Sequence, residues 1–116
     1  MPAPAVDNQI KGRVRGALRF YRGPGLAITK RELARGFGAT PRQIELAVNA
    51  LRAEGEPISS NDHGYFLAER PEDLDPTVEH LDSRIRKIAA TKRAVERARE
   101  RLTRPPVDPN GQGRFA

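Results

Sequence analysis

Behind Asp7, a residue suited to capping a helix N-terminus, the apolar positions Ile10, Val14, Ala17, Leu18 and Tyr21 recur at helical spacing. They predict a first amphipathic helix over 8–21. Gly23-Pro24-Gly25 ends it, and Ala27-Ile28 reads as a short strand. Thr29 with Glu32 three residues on has the form of a capping box, opening a second helix that carries Leu33 and Ala34 and stops at Gly36 or Gly38. Thr40 as cap, Pro41 at the first helical position, Gln43 as reciprocal capping partner and Gly55 as stop then define a third helix over 41–54. Within it Ile44, Ala47, Val48 and Leu51 form one apolar stripe, leaving Arg42, Glu45, Asn49 and Arg52 on the opposite face.

Past Gly55 the period changes from helical to extended. Residues 57–60 and 65–68 read as two short strands around Asn61-Asp62-His63-Gly64, a β-hairpin. Residues 71–76 are acidic and bounded by prolines, and from Thr77 to Thr103 there is neither Gly nor Pro, which predicts one helix about 40 Å long at 1.5 Å per residue. In heptads, Val78, Ile85, Lys92 and Arg99 fall at a, and Leu81, Ile88, Val95 and Leu102 at d. Every d position is apolar, which favours self-association through Val78, Leu81, Ile85, Ile88, Val95 and Leu102 as a dimer or higher oligomer; packing on its own domain is the alternative. The expected layout is a tail over 1–6, a domain over 7–69, an acidic hinge over 70–76, a long coiled-coil-like helix over 77–104 and a tail over 105–116. The expected class is mainly α with a small β-hairpin.

Two short helices joined by Phe37-Gly38-Ala39 suit a helix-turn-helix, and three helices followed by a hairpin is the element order of a winged helix. The passage Leu51-Arg52-Ala53-Glu54-Gly55-Glu56-Pro57-Ile58-Ser59-Ser60, then Gly64-Tyr65-Phe66-Leu67, resembles the helix-to-wing passage of small bacterial and bacteriophage-encoded winged-helix DNA-binding proteins. Pro71-Glu72-Asp73-Leu74 and residues 81–88 resemble the long helix of some phage proteins of that type, so the likeness spans about residues 25–90. It implies a recognition helix at 41–54, a wing at the hairpin, and duplex DNA as partner. It leaves transcriptional, replicative and packaging roles open. The departures are a short second helix and a looser turn carrying Gly36 and Gly38.

Charge sharpens this picture. The 116 residues carry a net charge of +6 with a sequence pI near 10.5, unevenly distributed. Residues 8–54 hold ten Lys/Arg and three acids, 69–83 one Arg and six acids, and 84–104 nine Lys/Arg and two acids. The base-facing candidates are Thr40, Arg42, Gln43, Asn49 and Arg52, since Arg pairs bidentately with guanine and Asn or Gln with adenine. Phosphate contacts fall to Lys11, Arg15, Arg19, Lys30, Arg31 and Arg35, and the wing candidates are Ser59, Ser60, Asn61 and His63. The basic end of the last helix would repel a parallel partner, which points to an antiparallel pair or a different seam beyond residue 91, or to another protein or nucleic acid that neutralises it.

Other chemistries find little to build on. Without cysteine there is no disulfide or thiolate zinc site, and two lone histidines do not form a metal site. Ser59, Asp62 and His63 are neighbours on a tight turn and not a catalytic triad, and Gly23-Pro24-Gly25 before Thr29-Lys30 lacks the order of a phosphate-binding loop. The expectation is therefore a cytoplasmic, cofactor-free binding protein with no membrane association and no enzymatic activity. The rivals are a winged-helix protein-protein adaptor and a sequence-neutral nucleic-acid coat.

Overall fold

The computed structural model describes residues 5–104. The chain is mainly helical, with a two-stranded antiparallel hairpin and a long last helix. The tail expected over 105–116, and residues 1–4 of the first one, lie outside the described residues. Internal contacts divide the chain after Glu79 into two units.

In the first unit α1 spans Asn8–Leu18, started by Asp7, whose carboxylate accepts from the backbone N–H groups of Gln9 and Ile10 at 2.9 and 3.1 Å. It stops three residues short of the expected Tyr21. The Tyr21 carbonyl accepts from Leu67 N–H at 2.7 Å and Arg22 bridges to Leu67, so the hairpin takes over the backbone that would have continued the helix. A short 3-10 turn, Pro24–Leu26, follows. The expected strand at Ala27-Ile28 contracts to one bridge, with Ile28 exchanging both backbone hydrogen bonds with Tyr65 at 2.8 and 2.7 Å.

Helices α2 (Lys30–Phe37) and α3 (Pro41–Ala53) both open on complete capping boxes. Thr29 Oγ1 accepts from Glu32 N–H at 3.0 Å, and Thr40 Oγ1 accepts from Gln43 N–H at 3.1 Å while Gln43 Oε1 accepts from Thr40 N–H at 2.9 Å. Gly38 ends α2 in the left-handed region (φ 61°), where a side chain would be strained. The hairpin joins β1 (Ile58–Asn61) to β2 (Gly64–Leu67), with Ile58 opposite Leu67 and Asn61 opposite Gly64. One side of each helix closes the core. Ile10, Val14 and Leu18 of α1 meet Leu33 and Ala34 of α2 and Ile44, Ala47, Val48 and Leu51 of α3, with Ile28 and Ile58 completing the cluster.

The segment expected to be a hinge is wound instead. Pro71–Leu74 forms a 3-10 turn that runs directly into α4 (Asp75–Thr103). Asp73 Oδ2 accepts the backbone N–H groups of Glu69 and Arg70 at 3.0 and 3.1 Å, which holds its carboxyl below the usual range. Ser59 Oγ donates to the Asp73 carbonyl at 2.7 Å and lies 2.6 Å from Thr77 Oγ1, so buried hydroxyls tie the hairpin to the turn. Thr77 is the buried residue of α4.

Candidate nucleic-acid interface

The α2–turn–α3 unit fixes the geometry of the candidate site. The buried stripe of α3 turns Arg42 and Asn49, seven residues apart and both exposed, onto one outward face. Glu45 lies between them. Its carboxylate accepts from Lys30 Nζ at 2.8 Å and from the Arg42 guanidinium at 3.4 Å, joining the start of α2 to the first turns of α3. The hydrogen bond from Lys30 holds the Glu45 carboxyl below its usual range and the Lys30 ammonium above its own, so both are charged at neutral pH. Thr40 and Gln43 sit at the same helix start, and their facing oxygens are committed to the capping box.

Arg52 is not part of this face. Its Nε donates to the Ile58 carbonyl at 2.9 Å and its guanidinium lies 5.8 Å from the centre of the Tyr65 ring, against the hairpin. Burial lowers its pKa and raises that of the Tyr65 hydroxyl. The reading of Arg52 as base-facing fails because the hairpin closes over that side of α3, and an isolated helical wheel does not register the closure.

The expected phosphate set separates into three groups, one of them Lys30 alone, paired with Glu45 at 2.8 Å. Lys11 Nζ and Arg15 reach Glu54 at 2.6 and 3.0 Å, and Arg15 Nε lies 3.5 Å from Glu56, so these cations brace α1 against the end of α3. Arg19, Arg31 and Arg35 are exposed and make no ion pair among the described residues.

Among the wing candidates Ser59 is fully buried and bonded to Asp73 and Thr77, so it is a tether and not a contact surface. Ser60 is half-buried, with its N–H donated to Thr77 Oγ1 at 3.1 Å. Asn61 and His63 are exposed at the turn, where Asn61 Oδ1 accepts from His63 N–H at 2.8 Å and Asn61 Nδ2 donates to the Pro24 carbonyl at 3.0 Å. Sequence reasoning missed Glu45 as a hub and Thr77 as an anchor. Only the Arg42–Glu45 spacing of three was there to find.

On α4 the expected association positions Val78, Leu81, Ile85, Ile88, Val95 and Leu102 are all exposed. Among the described residues no helix is long and apolar enough to cross a membrane, and no three His, Asp or Glu side chains gather as a metal site. Comparison with family models, curated proteins and solved structures finds no match to this chain.

Proposed function

We propose that residues 7–69 act in the cytoplasm as a winged helix-turn-helix that binds double-stranded DNA. In this reading α3 is the recognition helix, the β1–β2 hairpin is the wing, and α4 serves self-association. The protein works by binding and not by catalysis, as a phage or bacterial regulator or as a replication or packaging factor. The observation that carries the reading is the α2–turn–α3 unit: two capping boxes fix both helix starts, Gly38 ends α2, and α3 presents Arg42 and Asn49 on one outward face. A helix in the major groove reads bases with such a face, Arg toward guanine and Asn toward adenine. Arg31, Arg35 and Arg19 supply exposed charge for phosphates, and Asn61 and His63 remain as the polar tip of the wing.

The test is a salt titration of binding to random-sequence duplex DNA by fluorescence anisotropy. Phosphate contacts give a linear fall of log K with log salt, and Arg31→Ala and Arg35→Ala each lower that slope by about 1. Arg42→Ala leaves random-sequence affinity within about threefold and costs about 1–3 kcal/mol on a selected site. Absence of salt-dependent binding at about 50 mM salt overturns the reading in favour of a protein-protein adaptor.

A further inference from the structure

α4 carries a row of apolar side chains along its length: Val78, Leu81, Ile85, Ile88, Val95 and Leu102 are between 40% and 87% exposed. Such a row at heptad spacing on a charged helix is the seam of a helix pair. We propose that a second copy of α4 covers it in the antiparallel direction. The register places Val78 against Leu102 of the partner copy, Leu81 against Arg99, Ile85 against Val95 and Ile88 against Lys92. This deepens the self-association part of the reading above and is independent of DNA binding.

The two ends of the helix supply the direction. Residues 75–83 carry Asp75, Glu79 and Asp82 with no Lys or Arg, a net charge of −3. Residues 97–104 carry Arg97, Arg99, Arg101 and Arg104 with Glu100, a net charge of +3. An antiparallel pair sets each end of one copy beside its electrostatic complement at the far end of the other. A parallel pair stacks acid on acid at one end and arginine on arginine at the other.

The row itself argues the same way. Lys92 and Arg99 occupy a positions, and a parallel in-register pair brings each against its own copy, two like-charge layers within one seam. In the antiparallel register both meet apolar residues, Ile88 and Leu81, whose surface their aliphatic stems cover while the charged heads reach outward. Asp82, adjacent to Leu81, then stands beside Arg99 of the partner copy.

The chain has no cysteine, so introduced thiols report orientation without interference. Full-length Leu81→Cys and Arg99→Cys proteins are oxidised separately and as a mixture, and Ile85→Cys with Val95→Cys provides a second pair in the same geometry. Circular dichroism confirms retained helix in each variant, and sedimentation equilibrium measures the wild-type mass. The expected result is a wild-type dimer, or an even-numbered assembly of such pairs, with disulfides in the mixtures at least about tenfold above those in either single variant. A monomer, or self-linking of Leu81→Cys alone, overturns the inference; the first leaves the row to a different protein and the second makes the pair parallel. A monomer that still binds DNA removes only this inference, and a cross-linked antiparallel dimer without salt-dependent DNA binding removes only the DNA reading.

Discussion

Glu45 holds two cations that the proposed interface would use. Its carboxylate accepts from Lys30 at 2.8 Å and Arg42 at 3.4 Å, and on a DNA-binding face it competes with phosphate for Lys30 and holds Arg42 back from the bases. Glu45→Gln is therefore expected to raise affinity for random duplex DNA about tenfold and to steepen the salt slope by about 1, the share of Lys30. Its effect on folding stability should stay within about 1 kcal/mol, because the pair is partly exposed and screened. An unchanged slope in the anisotropy titration would take Lys30 out of the contact set. At this scale legibility depends on distance along the chain. Thr29–Glu32 and Thr40–Gln43 are bonds across three residues, and the sequence displays them directly. Lys30–Glu45 and Ser59–Thr77 span 15 and 18 residues, and no local pattern encodes a pair that only the tertiary fold brings together.

Elements were legible where their ends are chemical. The capping boxes and Gly38 define α2 and the start of α3 because each stop or start belongs to a particular side chain or backbone freedom. The end of α1 was not, because its apolar period continues to Tyr21 while hydrogen bonds to β2 stop the helix. The strands moved inward from residues 57–60 and 65–68 to Ile58–Asn61 and Gly64–Leu67, leaving Asp62 and His63 as a two-residue turn. Gly64 permits this: its φ is 127°, and a Cβ there would collide with the Ile28 carbonyl where that strand-like residue crosses β2. Gly64→Ala is expected to destabilise the fold by about 3 kcal/mol or more in urea unfolding, whereas Asp62→Ala at the exposed turn stays within about 0.5 kcal/mol. Equal effects would mean that the close approach to Ile28 is not what holds the hairpin.

At the scale of the molecule, the Lys11–Glu54–Arg15 cluster joins the first helix to the end of the third, and the hydrogen bond from Lys11 holds the Glu54 carboxyl below its usual value of 4.5. A carboxyl whose folded pKa is depressed adds stability that is complete above its unfolded value and is lost as pH falls through the folded one. Asp73 and Glu45 are shifted in the same direction. The thermal midpoint is therefore expected to be level near neutrality and to fall below about pH 4.5, and Glu54→Gln should make that fall shallower. An identical acid limb in the variant would show that the cluster contributes nothing to folding. The hairpin bears on assembly in a different way. Along β2, the outward N–H and carbonyl groups of Tyr65 and Leu67 are taken by Ile28, Tyr21 and Gly23. Along β1, Arg52 occupies the Ile58 carbonyl and Thr77 the Ser60 N–H. A two-stranded sheet ordinarily offers a template for strand addition and fibrous growth on each side. Here the outward groups of β2 and two of those of β1 are already occupied from within, which works against the addition of a strand from another copy.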